Sequence, residues 1–205
     1  GGYAQVTKAG AVRAYQFVGF YGDNNGSQDG TKVPTKYLPV GQGFIAEVIA
    51  DGQVEFNNSQ RVFIKEADYT EGDYNNGSVF MKSGNTKSKE ADNKEETQEN
   101  PMQRIRLEFN SVTGPETRRE LLLGFSEITS DDFDYGYDAE CGDNNNNDLN
   151  LNFEGKNMNI QAYGPITEDK VVPLNFKSSG DNSFEIKITE LDNIAEDQKI
   201  YLRDH

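Results

Sequence analysis

The chain has almost no sulfur or imidazole chemistry to offer. Among its 205 residues there is one cysteine, one histidine and no tryptophan. A single cysteine, Cys141, excludes an intramolecular disulfide, so stability has to come from packing or bound ions. The lone histidine is the last residue, His205, which leaves no base for a Ser–His or Cys–His nucleophile and no ligand set for a His-bound zinc. Without tryptophan, the usual stacking platform for sugar rings falls to the ten tyrosines. No apolar run is long enough to span a bilayer, and no basic-then-apolar signal segment stands at Gly1. If the protein is exported, the expectation is that its address lies outside these residues, which read as a piece of something longer.

Basic charge is also short. Twenty Lys and Arg face 35 Asp and Glu, a formal net charge of −15. Such a balance argues against nucleic acid and anionic membranes as partners, and no membrane insertion is expected. It suits a solvated extracellular protein and divalent cations. Hydrophobic residues make up 34%, below the usual fraction of about 45–50% counted with glycine, but the 20 glycines narrow the gap.

What is present is a series of short strands. Residues 37–63 read as a hairpin: Phe44, Ala46 and Val48 alternate with Ile45, Glu47 and Ile49 up to Asp51-Gly52, a strong type I′ turn signal. Val54 and Phe56 share one face of the return strand, and burial of Phe44 and Phe56 is expected. In the second half, Ile105, Leu107 and Phe109 alternate with Arg104, Arg106 and Glu108, one face buried and the other solvated. The run 121–125 (LLLGF) is apolar on both faces and predicts a central strand. Leu149, Leu151 and Phe153 point one way, followed by Met158, Ile160 and Ala162 as one set. Phe184, Ile186 and Ile188 repeat the rule, and a short last strand is expected around 199–202. Pro39, Pro165 and Pro173 fall at strand edges, where proline is tolerated.

This pattern predicts an all-β protein, an antiparallel β-sandwich of Ig-like or jelly-roll-like type, as one large unit or two tightly packed ones. Residues 1–82 form an N-terminal β segment with the hairpin. Residues 83–100 have the composition of a solvated loop, and 101–205 form the main sandwich, with one intertwined domain as the alternative.

Candidate chemistry is sparse. Gly41-Gln42-Gly43 lacks the third glycine and the helix that a phosphate loop requires. Paired carboxylates are the only generic catalytic option, and 35 acidic residues make such pairs by chance. Cys141, in a Gly/Asn/Asp loop, reads as incidental. The expectation is therefore no catalytic residues and no enzyme. One constellation stands out: Asp132, Asp134 and Asp138, with Asp131 beside them and Gly136 allowing a sharp turn. Carboxylates so spaced can turn several oxygens toward Ca²⁺, which takes six to eight. The run resembles the start of an EF-hand loop but places Asp143, not Glu, at the twelfth position from Asp132. The competing reading is a turn in which these carboxylates accept backbone N–H bonds while Phe133 and Tyr137 plug the end of the sandwich. The run 143–148 (DNNNND) reads as a mobile loop that adds oxygens if it folds back.

A resemblance spans most of the chain from Thr35 onward. The segments PTKYLPVGQGF (34–44), FNNSQRVF (56–63), RIRLEF (104–109), RRELLLGF (118–125), DDFDYGYDAE (131–140), MNIQAYG (158–164), VVPLNF (171–176) and IYLRD (200–204) together resemble a module of very large secreted cell-surface proteins, adhesins included, of the Bacteroidetes. There the module lies upstream of a C-terminal sorting domain for type IX secretion. The resemblance implies a bacterial cell-surface location. It implies neighbouring domains of the same polypeptide as partners, with the type IX machinery engaged through the adjacent sorting domain. It points to a structural, presenting role; the alternative is a module that binds glycan or another ligand, with calcium assisting.

Overall fold

In the computed structural model, residues 3–14, 16–17, 32–48, 50–65, 74–75, 77–78, 102–142 and 145–204 are described. The loop expected at 83–100 lies outside them. The chain is all-β: no α-helix occurs among the described residues, and none is long and apolar enough to cross a membrane. The strands are β1 (Gln5–Val6), β2 (Ala11–Val12), β3 (Gln16–Phe17), β4 (Gln103–Ser111), β5 (Thr117–Phe125), β6 (Ala139–Glu140), β7 (Asp148–Phe153), β8 (Lys156–Tyr163), β9 (Leu174–Lys177) and β10 (Phe184–Asp192).

Eight of them form one sheet in the order β10-β4-β5-β8-β7-β9, with β3 added to β5 and β6 to β8. The sheet is mixed: β5 and β8 run parallel, Leu122 beside Ile160 through Phe125 beside Tyr163, while the other pairs are antiparallel. The expected sandwich layering holds broadly, with the core between two halves of β-structure; the sheet is mixed where an antiparallel one was expected, and its halves belong to a single sheet curled into half a barrel. The curl brings opposite ends of the strand order together. Phe176 of β9 and Phe184 of β10 meet edge to face at 5.3 Å, and Phe184 stacks on Phe109 of β4 at 4.9 Å. Around them Ile105, Leu121, Leu123, Phe125, Leu149, Leu151 and Met158 fill the concave side.

The alternation read in 104–109 produces this core on one face. Its other face is covered as well. Residues 9–12 cross it, and Ala9 and Val12 pack with Met102, Leu122, Ile160 and Ala162 in a second cluster. Arg104 and Arg106 hold this strip through its carbonyls, Arg104 Nε donating to Ala9 O at 2.6 Å and Arg106 to Ala11 O at 2.8 Å. The approach is close: a Cβ on Gly10 would lie 2.6 Å from a Leu122 methyl. Leu121 and Leu122 are thus buried on opposite faces of β5, as expected of a central strand.

The β7–β8 connection is a two-residue hairpin, with Glu154 at φ 48° and Gly155 at φ 83°. Positive φ at both positions matches the right-handed twist of the flanking strands. Beyond it, Met158, Ile160 and Ala162 do not share one face. Ala139 faces Ile160 while Glu140 faces Met158, so Asn159 is the extra residue of a bulge. Across the bulge the facing switches: Met158 enters the main core, and Ile160 and Ala162 enter the second cluster.

Two expected elements do not form. Among the described residues of 37–63 there is no strand, only a capped 3₁₀ turn at Asn58–Gln60. Phe44 is 55% exposed and Phe56 77%. An isolated two-stranded hairpin is marginal in water without a third strand or a packing partner, and the core is already filled by β4, β5 and β7–β10. Residues 199–202 also form no strand, with Ile200, Tyr201 and Leu202 exposed. Truncating Phe109, 1% exposed, to Ala should cost about 3–5 kcal/mol in chemical denaturation, while Phe44→Ala and Phe56→Ala should stay within about 0.5 kcal/mol of the parent. Equal losses at all three positions would show that 37–63 packs into the core.

Candidate functional site

The acidic run follows β5 and returns the chain to β8. Three of its four carboxylates, those of Asp131, Asp134 and Asp138, accept from backbone N–H groups. Asp138 is buried; its Oδ1 accepts from Ala162 N at 2.7 Å and its Oδ2 from Asp134 N at 2.8 Å. Asp134 Oδ2 in turn accepts from Ser130 N at 2.6 Å. Asp131 Oδ1 accepts from Gly164 N at 3.1 Å and from Lys170 Nζ at 2.7 Å. Asp132 is exposed, its own N–H donating to Ser130 Oγ at 3.2 Å. Asp134 and Asp138 are therefore neighbours, and Asp132 connects to them through Ser130 Oγ, which donates to Asp134 Oδ2 at 3.2 Å. Among the described residues no group of three or more His, Cys, Asp or Glu is gathered to hold a metal ion.

The result is a clasp over the end of β8. Ser126 N and Thr129 Oγ1 both donate to Tyr163 O, at 3.1 and 2.6 Å. Lys8 N donates to Gly136 O at 2.7 Å, tying in the N-terminal strip. Phe133 packs on the main core, and Tyr137 on the second cluster under the Lys8 ammonium. This is the arrangement that the turn reading of 131–138 requires. A cleft of about 270 Å³ beside it is lined by Asp131, Asp132, Gln161 and Tyr163, among others.

Burial raises the Asp138 carboxyl to about 6, the nearby Asp134 charge adding to it and the two N–H bonds opposing it. The salt-bridged Asp131 is shifted the other way, held low chiefly by Lys170. Burial also raises the Tyr163 hydroxyl, which donates to the buried Gln161 Oε1 at 2.8 Å.

A second candidate is a concavity of about 490 Å³ lined by Asn145, Asp148, Asn150, Asn157, Leu174, Asn175, Phe176 and Lys177. Here the described part of the polar run expected to be mobile, 145–148, leads into β7 at Asp148. Asn145 and Asn147 are buried, Asn145 Nδ2 donates to Asp148 Oδ2 at 3.2 Å, and Ser179 N donates to Asn147 Oδ1 at 2.6 Å. The amides continue across three strands. Asn175 Nδ2 donates to Asn157 Oδ1 at 2.8 Å, Asn150 Nδ2 to Asn159 Oδ1 at 3.3 Å, and Asn159 Nδ2 to Gln5 Oε1 at 2.7 Å. The signal for these residues lay in the sequence: asparagines alternate with Leu149, Leu151 and Met158, the positions that make up one face of a strand. Cys141 is half-buried, its N–H donating to Asn157 O at 2.7 Å.

Asp138→Asn leaves one of the two N–H donors without an acceptor and should cost about 1–3 kcal/mol near pH 7.5. Because the native carboxyl titrates above its unfolded value of 3.8, its protonation adds stability to the parent as pH falls from about 6 toward 4. The gap between parent and variant should widen over that window in denaturation measurements, and a gap that narrows would place the native carboxyl below its ordinary value.

No curated protein and no solved structure matches the chain. A family model described as "Domain of unknown function (DUF8693)" matches residues 3–205, and the chain belongs to that family.

Proposed function

We propose that the chain is a non-catalytic structural and presenting module of a large secreted cell-surface protein of adhesin type, lying before a type IX sorting domain. The observation that carries this reading is how its polar residues are used. The buried pair Arg119–Asp148 joins β5 to β7, and the acidic turn spends Asp131 and Asp138 on clasping the end of β8 and Asp134 on closing the turn at Ser130. Polar groups committed in this way stiffen a unit that spaces and orients its neighbours. The resemblance of the motifs from 34–44 to 200–204 supports the setting: outside the bacterial cell, between other domains of one polypeptide, with secretion served by the adjacent sorting domain. A net charge of −15 suits that solvated environment and keeps the module off anionic surfaces.

In-frame removal of residues 3–205 from the parent gene tests the proposal. The shortened protein should still be made and exported, with its other domains less accessible to antibody and to added protease at the cell surface. Normal display accompanied by loss of an enzymatic turnover would contradict it.

A further inference from the structure

We propose that the cleft at the end of the concave side, beside the acidic clasp, binds the free amino terminus of a peptide. The inference goes beyond the structural role and is independent of it. Gln161 and Tyr163 alternate along β8 with Ile160 and Ala162, which enter the second cluster, so both face the concave side. Phe153 faces the same side from the end of β7, with Leu149 and Leu151. These three side chains line the cleft, and Asp131, Asp132 and Glu154 line it from exposed turns.

No basic side chain is among the described residues that line it. Lys170, beside them, is held by Asp131 at 2.7 and 3.0 Å and cancels that one charge. Asp132 and Glu154 remain, so the cleft favours a cation and opposes an anion. Two carboxylates alone would not choose between cations. The choice is made by Gln161, which is 1% exposed. Its Oε1 accepts from the Tyr163 hydroxyl at 2.8 Å, while its Nε2 finds no acceptor among the described residues. A donor so buried, opening on a cleft, needs an acceptor from any ligand that expels water from it.

A lysine or arginine side chain would meet the carboxylates but cover the Gln161 amide with a hydrocarbon stem, leaving its donor unpaired. A peptide amino terminus carries an ammonium group and, on the same residue, a carbonyl oxygen. The ammonium goes to Asp132 and Glu154, and the carbonyl accepts from Gln161 Nε2. The first side chain lies on the Phe153 ring, itself packed against Phe133 at 6.1 Å. Capture of a chain end by its charge and its nearest backbone group is a recurring mode of peptide recognition. At about 270 Å³ the cleft lies just below the range of about 300–1,000 Å³ of small-molecule sites. That is room for a chain end and not for a long segment.

Titration of the isotope-labelled full chain with the peptide Leu-Gly-Gly-amide, followed by amide NMR, tests the proposal. Saturable shifts are expected at the Gln161 side-chain amide and at the backbone of Glu154 and Tyr163. The N-acetylated peptide, which lacks the charge, should bind about tenfold more weakly or worse, and so should isopentylamine, which lacks the carbonyl. The double variant Asp132→Asn/Glu154→Gln should lose affinity for the free peptide by about the same factor, with melting temperature retained because both side chains are exposed. Should the double variant unfold, each single variant serves the same purpose. Absence of saturable shifts with the free peptide, or affinity that the variants leave unchanged, would overturn the proposal. So would equal binding of the acetylated peptide, of isopentylamine or of N-acetyl-lysine amide, the last showing that a basic side chain suffices.

Discussion

The guanidinium of Arg119 and the carboxylate of Asp148 meet in a two-pronged contact, Nε to Oδ1 at 2.9 Å and Nη2 to Oδ2 at 2.6 Å, with side chains 3% and 6% exposed. Removing two charges from water is costly, and the cost is offset only when geometry is good and every remaining polar atom is used. Here it is: Asp148 Oδ1 also accepts from Leu149 N at 3.0 Å and Oδ2 from Asn145 Nδ2 at 3.2 Å. The pair links β5 to β7 where β8 does not lie between them, because β8 joins β5 only from Leu122 onward. The contact thus sets how far the sheet curls. With the curl set, Phe176 and Phe184 can meet across the mouth and the Asn145–Asn150 segment becomes part of the wall.

The convex side answers a different constraint. A strongly acidic chain carries an arginine-rich strand, and its cations are matched by carboxylates, Glu120 serving two of them. Arg104 pairs with Asp192 at 2.8 Å, Arg106 with Glu190 at 2.9 Å and also with Glu120, and Arg13 reaches Glu120 at 3.2 Å. The pairs to Asp192 and Glu190 are partly exposed and worth little alone, whereas Glu120 is buried between Arg106 and Arg13. Their larger contribution is orientation, because Arg104 and Arg106 also bond the carbonyls of Ala9 and Ala11 and so seat the strip that buries Leu122 and Ile160.

Period-two alternation made much of this legible. It placed Ile105, Leu107 and Phe109 inward, identified 121–125 as a strand buried on both faces, and found β7, β8 and β10. It failed where a local rule was overridden. The bulge at Asn159 separates Met158 from Ile160, and nothing in an alternation pattern marks one extra residue. Asp51-Gly52 is a good turn signal, but a turn does not supply a third strand, and the described residues of 37–63 stay outside the sheet. Parallel pairing of β5 with β8 leaves no local signature, since it depends on the path of the intervening chain. The acidic run is readable as a turn or as a cation loop, and no local pattern marks the N–H groups its carboxylates meet, those of Ala162 and Gly164, 24 and 33 residues away in sequence. The amide wall has a weak signature, because asparagine by itself reads as a loop residue and only its alternation with Leu149 and Leu151 places it on a strand.

The Arg119–Asp148 pair is the tie that holds the curled sheet together. A double-mutant cycle by chemical denaturation tests it most directly. Arg119→Met or Asp148→Leu alone strands a buried charge and should cost about 3–5 kcal/mol, whereas the combined variant should cost much less than the sum. Single losses below about 0.5 kcal/mol that simply add in the double variant would mean that the pair is incidental and that the aromatic contacts alone set the curl.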